Sequence, residues 1–251
     1  MLHQTIKAHI HRYYARLFAE HRGVRLPIKT GRELAGSLGY PLELLPLVSD
    51  EHWNKFLPCG NLLPLLQPSA GDRLLNLGCG AGLDAFALVA IHGGAIEVVN
   101  MDIVFDVLRY ASSAPVCTAR DGGKNLHWLC GDGETLPLRS ESFQWVLING
   151  ALNLFPEKTL VIEEIWRVLK PCGCLLGADL CAAGALPECF HEQWDAWAWC
   201  MSGASTQAEL LDLFESCHFQ PVHIEPQDSQ DMLYPVVFCC RKTPPTRPRG
   251  G

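Results

Sequence analysis

Between Leu75 and Gly82 the chain reads Leu-Asn-Leu-Gly-Cys-Gly-Ala-Gly. A short apolar run, Arg73 to Leu77, leads into this segment, and a helix-forming stretch, Asp84 to Ala90, leads out of it. An apolar strand that ends in glycines and passes into a helix predicts a tight turn at the carboxyl end of a buried strand, where a ligand can approach the backbone closely. Gly78, Gly80 and Gly82 occupy alternate positions. A dinucleotide-binding turn spaces its small residues GxGxxG or GxGxxA, which would put the third at Leu83. That spacing counts against a nicotinamide cofactor, which stays as an alternative.

The rest of the chain repeats the strand–helix alternation. Further strands are expected over Ile96–Met101, Leu126–Leu129, Phe143–Asn149 and Cys174–Ala178, with helices over Phe105–Ala111 and Lys158–Leu169. An aromatic-rich insert follows at residues 183–203, then a helix from Thr206 to Cys217 and two strands near Pro221–Ile224 and Tyr234–Cys240. This alternation points to an α/β fold with a parallel sheet covered on both faces. The last two strands lack a crossover helix and are expected to pair antiparallel. Upstream, Ile6, Ile10, Tyr13, Tyr14, Leu17 and Phe18 recur at helical spacing. Gly39-Tyr40-Pro41 breaks the pattern, Glu43 to Phe56 reads as a second short helix, and a Pro/Gly-rich loop runs to Pro68. The expected organisation is a helical cap and linker over 1–70, a main domain over 71–243 with a lid insert at 183–205, and a mobile Pro/Arg/Gly tail at 244–251.

Composition narrows the classes of function. Lys and Arg number 20 against 27 Asp and Glu, a net charge of −7, which argues against nucleic acid or an anionic membrane surface as partner. No run approaches the roughly 18 apolar residues of a transmembrane helix. The opening residues, Met1-Leu2-His3-Gln4-Thr5, lack the apolar core of a secretion signal. The 12 cysteines include close pairs only at Cys172/Cys174 and Cys239/Cys240, with no His to complete a metal pattern, so no metal is expected. Several lie in apolar runs and read as small hydrophobes in a reducing cytoplasm.

Two acidic features reinforce the glycine turn. Asp102 ends the second strand, 20 residues past Gly82, where a carboxylate can accept hydrogen bonds from a ribose diol. Asp132, in Cys130-Gly131-Asp132-Gly133-Glu134 after the third strand, can accept from the amino group of an adenine. Together with Glu163-Glu164-Ile165-Trp166-Arg167-Val168-Leu169-Lys170-Pro171-Cys172-Gly173, these segments resemble the class I S-adenosylmethionine-dependent methyltransferases over residues 71–240. The resemblance implies a Rossmann-like seven-stranded sheet with an antiparallel terminal strand. It also implies S-adenosylmethionine as cofactor. Gly78, Gly80 and Gly82 would lie against its amino-acid portion, Asp102 at the ribose, and Asp132 with Gly133 at the adenine; Cys79, Ile103 and Asn149 complete the cofactor-binding set. Asn76 stands where the family often has an acidic residue near the methionine amino group.

A narrower resemblance is carried by Val48-Ser49-Asp50-Glu51, Phe56-Leu57-Pro58-Cys59-Gly60-Asn61, Ile148-Asn149-Gly150-Ala151-Leu152-Asn153-Leu154-Phe155 and Trp197-Ala198-Trp199-Cys200-Met201-Ser202-Gly203. These are similar to the arsenite methyltransferases. The match implies that Cys59 and Cys200 correspond to two arsenic-binding cysteines, with Gly150 in the place of a third. Thiolates suit a soft acceptor, so the implied partner is a small-molecule methyl acceptor: arsenite, an organic arsenical or a small thiol. Packing alone is the alternative for each cysteine, Cys200 being read as part of a helix. An arsenic or sulfur lone pair needs no base; an oxygen acceptor would, with Asp179 or His191 as candidates. A non-catalytic module that binds the same cofactor is the remaining alternative.

Overall fold

A computed structural model of the protein describes residues 2–19, 29–44, 46, 48–115, 123–187, 190, 194–226 and 231–243. Its strands are β1 (Arg73–Leu77), β2 (Glu97–Asp102), β3 (Leu126–Cys130), β4 (Phe143–Asn149), β5 (Leu169–Ala182), β6 (Ser205–Thr206), β7 (Phe219–Pro226) and β8 (Leu233–Lys242). They form one sheet in the order β3-β2-β1-β4-β5-β8-β7, with the two-residue β6 attached to the end of β5. Pairing is parallel from β3 through β5, and β8 runs antiparallel to both of its neighbours. The sheet is the expected one, with β6 as an unforeseen addition. Strand order reverses between β1 and β4, and in open α/β sheets that reversal creates a crevice outside the strand tips.

Side chains alternate across the sheet and feed two cores. Leu74, Val98, Leu147 and Leu176 face one side; Leu75, Val99, Val146, Ile148 and Leu175 face the other. The second side is covered by α6 (Lys158–Val168) and α8 (Gln207–Ser216), through Val161, Ile162, Ile165, Leu210 and Phe214. The first is covered by α4 (Leu83–His92), α5 (Phe105–Ser112) and the N-terminal helices α1 (Leu2–Ala19), α2 (Gly31–Ser37) and α3 (Asp50–Asn54). Leu17, Phe18, Ala35 and Trp53 belong to that same core, so the N-terminal helices are built into the sheet's covering layer.

Two local expectations are corrected. Glu43 to Phe56 is not one helix: a 3-10 turn at Leu42–Leu44 precedes α3. Ser49 separates them, because its extended backbone and its hydroxyl, accepting from the His52 N–H at 3.2 Å, start a new helix. Nor is Cys200 helical. The helix in the aromatic insert, α7, spans only Trp194–Ala198, and Cys200 follows it in the left-handed region at φ 61°. The expected mobile tail, 244–251, lies outside the described residues, as does part of the lid insert.

Candidate active site

The crevice at the β1/β4 reversal opens into a cleft of about 990 Å³, its open mouth included, walled by the tips of β1, β2 and β4, the loop after β3 and the inner face of α1. The glycine turn forms its floor. The Gly78 and Cys79 N–H groups donate to the Met101 carbonyl at 2.8 and 3.0 Å, which pins the turn against β2. Gly78 adopts φ 68°, and a Cβ there would stand 2.5 Å from Cβ of Ala151. Only glycine fits that approach. Asp102 accepts from the Gly80 N–H at 3.2 Å and the Val104 N–H at 3.0 Å. Burial pushes its carboxyl up to about 6 against those two donors.

At the other end of the cleft, Asp132 and Glu134 meet an unexpected partner. Lys7 of α1 reaches across and donates to both, at 2.6 and 2.5 Å. Ile10, Tyr14 and Phe18 of the same helix also line the cleft, so α1 forms its roof. No sequence signal could have found Lys7, a single basic residue 125 positions from its partner. Ile103 and Gly133 are part of the wall, and a Cβ on Gly133 would stand 2.7 Å from the Phe155 ring.

Three residues from the expected cofactor set stand differently. Asn76 is absent from the cleft wall: it is 2% exposed and donates to Oδ1 of Asn100 at 3.0 Å. The β1–β2 register sets the two amides side by side. Gly82 likewise lies off the cleft wall, at φ 80°, capping α4 with its Cα toward Trp128 and Phe86. Asn149 does line the cleft, yet its amide is spent on the neighbouring loop. Its Oδ1 accepts from the Cys59 N–H at 2.9 Å, and its Nδ2 donates to the Gly60 carbonyl at 2.9 Å and to Asp84 Oδ2 at 3.2 Å. Tyr40 donates to the other oxygen of Asp84 at 2.6 Å. Burial pushes the Asp84 carboxyl up to about 6 against these donors.

The two cysteines converge on one residue. Cys200 Sγ donates to the Gly150 carbonyl at 3.1 Å, and a Cβ on Gly150 would stand 3.3 Å from Cys59 Sγ. Burial raises both thiols well above their ordinary range, so each is a neutral S–H in the unliganded protein. Behind them Asp179 accepts from the Asn153 N–H at 3.0 Å, from its Nδ2 at 2.8 Å and from the Leu180 N–H at 2.8 Å. Burial pushes this carboxyl up to about 6 as well. Tyr14 donates to the Ala198 carbonyl at 2.9 Å, tying the roof helix to the turn that carries Cys200. Among the described residues, no group of three or more His, Cys, Asp or Glu is arranged to hold a metal ion. No described helix is long and apolar enough to cross a membrane.

A strand–glycine turn–helix unit with a carboxylate at the tip of the next strand, on this sheet order, is the frame of the class I S-adenosylmethionine-dependent methyltransferases. The methyltransferase-domain family model matches residues 68–217, and the chain belongs to that family. Among known proteins it is similar to the arsenite methyltransferase of Halobacterium salinarum, 30% identical over 198 residues that cover 78% of this chain and 50% of that protein. The arsenite methyltransferase of Mus musculus is 28% identical over 195 residues, 75% of this chain and 51% of the relative. The chain thus spans about half the length of the curated relatives it matches. Among solved structures, CrArsM of Chlamydomonas reinhardtii, described as an arsenic(III) S-adenosylmethionine methyltransferase, superposes with a TM-score of 0.67 at 26% identity, over 82% of this chain and 73% of that one.

Proposed function

We propose that the protein is an S-adenosylmethionine-dependent methyltransferase acting on a small molecule that carries a soft nucleophile, with trivalent arsenic as the leading acceptor. The observation that carries this reading is the meeting of the Cys59 and Cys200 thiols at Gly150, which lines the cleft although neither cysteine does. The cleft suits the cofactor on two counts. Asp102 is fixed by two backbone N–H groups with its carboxylate in the wall, ready to accept from ribose hydroxyls. Gly78 and Gly80 present bare backbone on the floor.

When bound, S-adenosylmethionine supplies a methyl carbon on a sulfonium, open to in-line displacement by a lone pair. The chain's own task is to position the acceptor and exclude water. Cys59 and Cys200 are suited to grip arsenic from two sides, each thiol proton leaving with a displaced hydroxide as water while the sulfur–arsenic bond forms. Soft sulfur favours this centre over harder ones. Gly150 offers no third thiol, so the grip suits an arsenic that already bears one organic group as well as it suits arsenite. The arsenic lone pair needs no base, and the hydrogen-bonded Asp179 is then free to serve as a structural acceptor. A small-molecule thiol is the next acceptor the same surface supports. The missing third thiol favours one further reading, a module that binds the cofactor without turnover.

Calorimetry with S-adenosylmethionine, followed by an acceptor screen reading S-adenosylhomocysteine, tests the proposal. Cys200→Ser is expected to abolish turnover of arsenicals while leaving cofactor affinity unchanged. Equal activity in that variant removes arsenic ligation from the reading. Saturable cofactor binding without turnover on any acceptor favours the binding module, and NAD binding in place of S-adenosylmethionine refutes the proposal.

A further inference from the structure

Lys55, one residue past α3, buries its ammonium: the side chain is 2% exposed. Nζ donates to the neutral Phe18 carbonyl at 3.0 Å and stands 4.0 Å from the centre of the Tyr110 ring. Its carboxylate contact, Glu51, is half-exposed and lies at 3.5 Å. A buried cation is costly unless a close anion compensates it, and a carbonyl, a ring and a distant carboxylate compensate it only in part.

Lys55 also lines the cleft, as does Ala81 of the glycine turn. His52, three residues earlier, is buried and stacks on the Tyr110 ring at 4.5 Å, packing α3 against α5. Apart from Lys7, the other charged residues along the cleft are acidic: Asp84, Asp102 and Asp132. The other ammonium in the wall, Lys7, is held by two carboxylates at 2.6 Å or less. A ligand's anionic group entering this cleft therefore finds Lys55 as the cation that no carboxylate holds closely.

Resting on the cofactor reading above, we propose that the Lys55 ammonium receives the carboxylate at the amino-acid end of S-adenosylmethionine, making it a cofactor-binding residue. The ligand then spans the cleft with its adenine toward Asp132, its ribose at Asp102 and its carboxylate beyond the glycine turn.

Isothermal calorimetry with S-adenosylmethionine and with its decarboxylated analogue tests the assignment. The wild-type protein is expected to prefer the carboxylated ligand by about 10- to 100-fold, the worth of a charge-assisted hydrogen bond. Lys55→Met is expected to lose that preference, binding both ligands as weakly as the wild type binds the analogue, and Lys55→Arg to keep part of it. A wild-type protein without preference, or a Lys55→Met protein that keeps the full preference, overturns the proposal. Should Lys55→Met fail to fold in a urea titration, the wild-type comparison and Lys55→Gln carry the same test. A wild-type protein that binds neither nucleoside overturns the proposed function itself, a result distinguishable from binding without preference.

Discussion

Replacing Asn149 with alanine tests whether the sheet itself positions Cys59. The amide makes two short bonds to the loop, accepting from the Cys59 N–H and donating to the Gly60 carbonyl, both at 2.9 Å. It also gives Asp84 a donor at 3.2 Å. Alanine leaves two backbone groups and a buried carboxylate each short of a partner. An unsatisfied buried group costs about 1–3 kcal/mol, and Asn149 is only half-buried, so water recovers part of the loss. The expected destabilisation is about 2–3 kcal/mol, read as a lower urea midpoint at unchanged slope. The loop should also loosen, so Cys59 alkylation by iodoacetamide should accelerate in the native protein. Asn149→Asp separates the two halves of the argument. It keeps an acceptor for the Cys59 N–H but sets a second carboxylate against Asp84, whose own carboxyl already sits near 6. Two carboxylates at that distance cannot both ionise cheaply, so this variant should lose more stability at pH 8 than at pH 5. An alanine variant with an unchanged midpoint and unchanged Cys59 reactivity would refute the reasoning.

Two more outcomes follow from the cleft. Asp102 holds its proton up to about pH 6 in the free protein, and an ionised carboxylate is the better acceptor for ribose hydroxyls. S-adenosylmethionine affinity should therefore rise as pH increases through 6, with proton release on binding near that pH. Calorimetry in two buffers of different ionisation enthalpy measures this, and a pH-independent affinity contradicts it. Gly78→Ala forces φ 68° on a residue with a Cβ and drives that atom to 2.5 Å from Ala151. The left-handed backbone costs about 1–2 kcal/mol and the overlap about 1–3 more, so thermal melting should show a loss of several degrees together with weakened nucleoside binding.

What the sequence could disclose was what local pattern controls. The β1–turn–α4 unit, Asp102 and Asp132 were legible because each lies at the end of a short apolar run, where a strand must stop and a side chain must face the tips. The reversed final strand was legible because too few residues separate β7 from β8 for a crossover. Contacts set by tertiary packing left no such trace. Lys7 reaches Asp132 across 125 residues. Asn76 turns toward Asn100 because of a register that pairs two amides across neighbouring strands. A run of apolar residues ending at Cys200 suggests a helix, but α7 stops at Ala198, Cys200 itself is left-handed, and its thiol donates to the Gly150 carbonyl.

The strand registers explain why the two halves of the site lie so close. Leu77 pairs with Ile148, so Gly78 and Asn149 are level at the tips of β1 and β4. Asn149 pairs with Ala178, and the Gly150 N–H donates to the Ala178 carbonyl at 2.8 Å, which brings Asp179 level with Gly150 on β5. The floor of the cleft, the Asn149–Gly150 step and the Asp179 network thus form one row across three adjacent parallel strands. Cys59 hangs from the Asn149 amide and Cys200 from the Gly150 carbonyl. Neighbouring strands lie about 4.8 Å apart, so Gly78 and the Asn149–Gly150 step are separated by roughly one strand spacing. On the proposed function, that spacing is set by backbone hydrogen bonds of the central sheet, the least deformable part of the molecule. Substitutions in the roof helix α1 should then alter ligand affinity more readily than the geometry of transfer, because the side-chain bonds of Tyr14 and Lys7 go to the Ala198 carbonyl and to Asp132, outside that row.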